Sequence, residues 1–153
     1  MIAKTIPFIK KLLLEERTPT KLAHASCFGL FIAFSPFIGF HWLMTIVFAW
    51  AFRLNIAVVY AVAHLNNPLT MIPIYLADYK IGDAISQRLG INLFAYNPSW
   101  MNWLNMKLAC LQIPNLSLWT FIIGGNVLSI VLGIISYPFF IRFYKRILTG
   151  SMR

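Results

Sequence analysis

Polar and apolar positions along the chain fall into long uninterrupted blocks. No Asp, Glu, Lys or Arg occurs from Leu22 to Phe52, from Leu54 to Ala77, or from Leu108 to Ile141. A helical bilayer crossing needs ~20 apolar residues, and each block is long enough. The first two blocks are interrupted near their middles, one by Ser35-Pro36 with Gly39 close behind, the other by Asn66-Asn67-Pro68. Proline has no N–H and clashes with the carbonyl four residues back, so Pro36 and Pro68 each break a helical ladder. The residues before them, Ser35 and Asn67, are pushed away from helical angles, and Gly39 is free to turn. The pattern predicts two broken helices. In lipid, freed carbonyls survive only where protein or water surrounds them, and in several transporter folds such breaks frame a substrate site.

In the first block Ala25, Gly29 and Ala33 recur every fourth residue; in the last, Gly125, Ser129 and Gly133 do the same. Small residues at this spacing let helix backbones approach closely in lipid. Each half of Leu22–Phe52 is ~20 Å long at 1.5 Å per residue, short of a ~30 Å core. The block is therefore one long kinked span or a re-entrant hairpin. Leu54–Ala77 suits a single kinked span, and Ser117–Ile141 is the clearest span. Asp78, Lys80, Asp83 and Arg88 are expected on a solvated face. Asn97-Pro98-Ser99 opens a segment in which Trp100, Trp103 with Leu104, Leu108 and Leu111 form one stripe, as in a helix lying in the membrane interface up to Pro114. The arm Met1–Lys21 reads as a basic amphipathic surface helix and not a cleavable signal, because Leu12-Leu13-Leu14 runs straight into Glu15-Glu16-Arg17.

Composition agrees with the blocks. Of 153 residues 59% are hydrophobic and 11% charged, against ~25% charged in soluble domains. The expectation is one all-α integral membrane domain over 1–153: an arm at 1–21, a broken-helix core at 22–82, an interfacial helix at 91–114, a C-terminal span at 117–141 and a basic tail at 142–153. The net charge of +9 is concentrated at the two ends. Because the basic ends flank apolar spans, they point to cytoplasmic retention and anionic lipid headgroups rather than nucleic acid. Two cytoplasmic termini require an even number of crossings. Making Leu22–Phe52 re-entrant satisfies this; making Leu54–Ala77 re-entrant is the alternative. The expected location is the bacterial inner membrane.

Candidate chemistry is sparse. There is no acid pair within the blocks, no phosphate loop and no nucleophile elbow, so no enzyme, cofactor or metal site is expected. Cys27 and Cys110 read as small core residues. Arg53 is the one ionised side chain between Lys21 and Asp78. It either snorkels to headgroups or serves a site. His41 and His64 flank the two breaks, and either repair freed carbonyls or face a cavity. Asn66, Asn67 and Thr70 offer uncharged polar groups, for backbone repair or for a ligand. If the breaks meet, His41, Arg53, His64, Asn66, Asn67 and Thr70 would line one anion-binding pocket, with Ser35, Pro36, Gly39 and Pro68 shaping it.

Five short motifs occur in order: Gly29-Leu30-Phe31-Ile32-Ala33-Phe34-Ser35-Pro36, Gly39-Phe40-His41, Arg53-Leu54-Asn55, Asn67-Pro68-Leu69-Thr70 and Tyr79-Lys80-Ile81-Gly82. Together they resemble the bacterial membrane family catalogued as domain of unknown function 2062. The resemblance implies a small inner-membrane protein. Some relatives are joined to glycosyltransferase domains, which implies lipid-linked or envelope work. The expected function is binding or moving a lipid or lipid-linked anion. The alternative is a scaffolding subunit that packs on another membrane protein or on a second copy of itself.

Overall fold

The computed structural model describes residues 18–37, 39–92, 98–99, 102, 105–106 and 117–150. It contains α1 (Pro19–Ala33), α2 (His41–Ala51), α3 (Ile56–Ala63), α4 (Met71–Leu89) and α5 (Leu118–Gly150), with no strand among the described residues. Most of the surface arm at 1–21 and of the interfacial helix at 91–114 lies outside those residues. The chain forms two compact units. One comprises the residues up to Ala33, Ile38–Leu65 and Ser129 onward; the other comprises Phe34–Phe37 and Asn66–Leu128.

In the first unit, α1 opens at Pro19, where a missing N–H costs nothing and the fixed φ already suits a helix. Its buried face is Leu22, Ala23, Ala25, Ser26, Gly29, Ile32 and Ala33. A Cβ on Gly29 would stand 2.7 Å from both the Val59 carbonyl oxygen and Val62 Cβ, so α1 and α3 approach almost backbone to backbone. Phe28 stacks on Phe52 with ring centroids 4.5 Å apart, and Phe31 meets Phe48 at 5.7 Å. These contacts fold α2 back on α1. The block Leu22–Phe52 is a helical hairpin rather than one kinked helix, with Gly39 at φ 85° in its turn.

The Asn55 side chain accepts N–H bonds from Ala57 at 3.0 Å and Val58 at 3.3 Å, which caps α3. At eight residues, α3 is ~12 Å long. Here the expectation of one kinked span over Leu54–Ala77 is corrected. Helix stops at Ala63 and restarts at Met71, and the two pieces belong to different units. The Asn67-Pro68 break lies in a seven-residue non-helical stretch, 64–70.

From Ser129 onward α5 packs in the first unit. Tyr144 and Ser26 share a buried 2.8 Å hydrogen bond, and His24 stacks on Tyr137 at 5.1 Å. The helix runs on to Gly150, past the expected end of the span at Ile141. Arg142, Lys145 and Arg146 do not stop it, because arginine and lysine are good helix formers. Over Leu118–Thr149, α5 is long and apolar enough to cross a membrane, and it is the one such helix among the described residues.

In the second unit the buried residues of α4 are Ile74, Asp78, Gly82 and Ser86, one stripe at every fourth position. Asp78 has no exposed surface. The solvated face expected for it is corrected: Asp78 lies at helical spacing with Ile74, Gly82 and Ser86, on the face that packs inward.

Candidate functional site

The first unit holds an apolar groove of about 280 Å³ lined by Cys27, Phe28, Phe31, Phe48, Ile130, Gly133 and Ile134. Phe52, which stacks on the groove wall at Phe28, is followed directly by Arg53. Arg53 closes α2 in the left-handed conformation at φ 51°, the one non-glycine residue with positive φ among those described. Its N–H donates to the Trp50 carbonyl at 3.3 Å, and the Leu54 N–H donates to the Ala49 carbonyl at 2.9 Å. This is the double closure that a glycine ordinarily completes. α4 ends in the same way at Gly90, where Gly90 donates to Gln87 at 3.3 Å and Ile91 to Ser86 at 3.1 Å. One turn thus uses the unstrained residue, and the other carries an exposed arginine against a cost of ~1 kcal/mol. Replacing Arg53 with Gly should therefore stabilise the protein by about 0.5–1 kcal/mol, part of the relief being offset by added unfolded-state entropy. The check is a rise in melting temperature in detergent; a fall would show that the side chain holds the fold.

The residues expected to share a pocket are spread over both units. His41 opens α2 and Arg53 follows its end. They are separated by the length of that helix, ~17 Å at 1.5 Å per residue, so these two do not adjoin. His64 Nδ1 lies 3.0 Å from the Tyr60 carbonyl oxygen, which also accepts the His64 N–H. In the second unit, Asn67 Oδ1 accepts the N–H groups of Leu69 at 2.9 Å and Thr70 at 3.2 Å. Thr70 Oγ1 accepts the Asn67 N–H at 3.0 Å. Asn67 and Thr70 therefore build the turn that lets α4 start. Asn66 Nδ2 reaches the Tyr75 hydroxyl at 3.5 Å. Of the breaking residues, Ser35 and Pro36 are buried, and Pro36 packs on Gly125, whose Cβ would lie 2.9 Å from Pro36 Cδ. The small residues Ala25, Ala33 and Ser129 have no exposed surface.

The tightest contact in the second unit went unread in the sequence. A Cβ on Gly82 would overlap the Thr120 carbonyl, and one on Gly124 would overlap the carbonyl of Asp78. Here α4 and the first turns of α5 touch backbone to backbone. Both Asp78 carboxylate oxygens and Thr120 Oγ1 are buried there without a hydrogen-bond partner. Asp78 lies on α4, outside the helix long enough to cross a membrane, and burial pushes its carboxyl up to about 7. Two signals were present: Gly82 ends the Tyr79-Lys80-Ile81-Gly82 motif, and Asp78 is the first acid after Glu16.

Among the described residues these features define an all-helical protein with one helix long and apolar enough to cross a membrane, an apolar groove beside an arginine, and a buried acid at a glycine crossing. The chain belongs to a family described as an uncharacterised protein conserved in bacteria, domain of unknown function 2062, whose model matches residues 5–151. No curated protein and no solved structure matches it.

Proposed function

We propose that this is a multi-pass protein of the bacterial inner membrane that binds an anionic lipid, with the hydrocarbon chain in the groove of the first unit and the headgroup at Arg53. The observation that carries the reading is the apolar groove with a strained arginine next to its wall. Strain kept at an exposed position points to a use for the side chain beyond the turn. The outward face of α2 supports a lipid setting. Trp42 is 63% exposed and Trp50 83%, with Leu43, Ile46 and Val47 exposed between them. A contiguous apolar face of this kind marks contact with lipid or with another protein. Further cations are at hand: Arg142, Lys145 and Arg146 are exposed on α5, and Arg142 is ~18 Å along the helix from Ile130 of the groove.

The test is the lipid that stays with purified protein, measured by mass spectrometry. Gly133 lines the groove, and a Cβ there meets only ordinary contacts, the Cys27 carbonyl oxygen at 3.5 Å and Phe31 Cβ at 3.7 Å. Gly133→Phe should fill the groove and lower retained phospholipid several-fold at unchanged folded yield. Arg53→Gly should lower the anionic share of that lipid while raising the melting temperature. Wild-type retention in both variants would leave the groove without a ligand. The apolar face of α2 equally favours a scaffolding subunit, and a stoichiometric protein partner with no bound lipid would establish that alternative.

A further inference from the structure

We propose that Asp78 is a proton-binding site: a neutral carboxyl buried where α4 crosses the first turns of α5, whose ionisation parts the two helices. Asp78 has no exposed surface, and neither carboxylate oxygen has a partner. An ionised carboxylate in a dry site requires donors or a counter-charge, whereas a neutral carboxyl tolerates the site at much smaller cost. The facing stretch of α5, Leu118–Leu128, contains no titratable or charged residue. The polar group it offers, Thr120 Oγ1, is buried and unbonded.

On α4 itself no charge is directed at Asp78. Lys80 is exposed, Asp83 accepts a 2.8 Å hydrogen bond from Gln87, and Tyr75 packs edge-on against Phe121 at 5.2 Å. Tyr79 lies beside Asp83. The other polar residue of the buried stripe, Ser86, donates to the Ile91 carbonyl at 2.5 Å.

The position of the carboxyl gives protonation a mechanical consequence. The Asp78 carbonyl is the group that Gly124 abuts, and Gly82 follows one turn later against Thr120. Glycines interlock no side chains, so at Gly82 and Gly124 themselves the contact is close backbone packing. Releasing the proton to water leaves a carboxylate that must draw water inward, and hydrating it requires the glycine contact to open. Rebinding a proton removes that need and lets the contact close. The device therefore couples proton uptake to the closing of α4 on α5.

Infrared spectroscopy of the full chain in lipid nanodiscs tests both halves of the proposal. The wild type should show a protonated-carboxyl C=O band at pH 6 that disappears by pH 9. Asp78→Asn should lack the band, and Asp83→Asn should keep it, which assigns it without reliance on one variant folding. Amide hydrogen exchange in α4, corrected for its intrinsic pH dependence, should quicken several-fold over the same range in the wild type and stay level in Asp78→Asn. No protonated-carboxyl band at pH 6 in the wild type overturns the site. A band that titrates without any change in exchange overturns the coupling. Displacement of the band at fixed pH by sodium chloride, but not by choline chloride, would make this a metal-cation site and also overturn the proposal.

Discussion

Gly82→Ala and Gly124→Ala should each cost more than ~3 kcal/mol and sharply reduce folded yield, beyond the 1–3 kcal/mol typical of overpacked cores. The obstacle is backbone in both cases: the new Cβ would overlap the Thr120 carbonyl from Gly82 and the Asp78 carbonyl from Gly124. A side chain in the way can change rotamer, but a carbonyl held in a helix moves only if the helix moves. Two nearby glycines provide the scale. At Gly125 the Cβ would come within 2.9–3.1 Å of the Pro36 ring, so Gly125→Ala should fall between the extremes. At Gly133 the closest atom is 3.5 Å away, and Gly133→Ala should be neutral or gain up to ~0.5–1 kcal/mol from improved helix propensity. Thermal melts in detergent would rank the four. Equal melting temperatures across the series would refute the crossing.

Stability should fall as pH rises from about 4 to about 7, and then level off. The cause is Asp78, whose carboxyl titrates near 3.8 in the open chain and is raised by burial to about 7 in the fold. Below 3.8 both states hold the proton and the buried group costs least. Between the two values the unfolded chain has released its proton and the folded one has kept it, so a higher pH favours unfolding. Above 7 both states are ionised and the penalty is constant. At about 1.4 kcal/mol per pKa unit, a few kcal/mol is the ceiling across this window. Melting temperatures of wild type and Asp78→Asn, recorded from pH 4 to 9, provide the check. The wild type should fall relative to the variant across the window, and parallel curves would exclude Asp78 as the source.

Spacing marked Ala25, Gly29 and Ala33 as a stripe, and all three are buried, with Gly29 against α3. The same spacing selected Gly125 and Gly133 but passed over Gly124, whose contact is far tighter. A repeat of four identifies a face, but it carries no information on where along that face a partner helix crosses. That depends on residues distant in the chain, here Asp78 and Gly82.

The chain by itself determined the things that follow from local chemistry. Proline and the residue before it forced the breaks near Ser35 and Asn67, and Asn55 set the start of α3. The long apolar run after Ser117 made one helix able to cross a membrane. The folded packing decided the rest. The Phe28–Phe52 stack turned Leu22–Phe52 into a hairpin instead of a kink. The crossing of α4 on the first turns of α5 covered the face that carries Ile74, Asp78, Gly82 and Ser86. The i, i+4 spacing puts the four on one face wherever the helix begins, and the backbone contacts of Gly82 with Thr120 and of Gly124 with Asp78 cover that face. Helix starts depend on local capping and steric rules, whereas the neighbours a residue meets depend on the summed phase and packing of the whole fold.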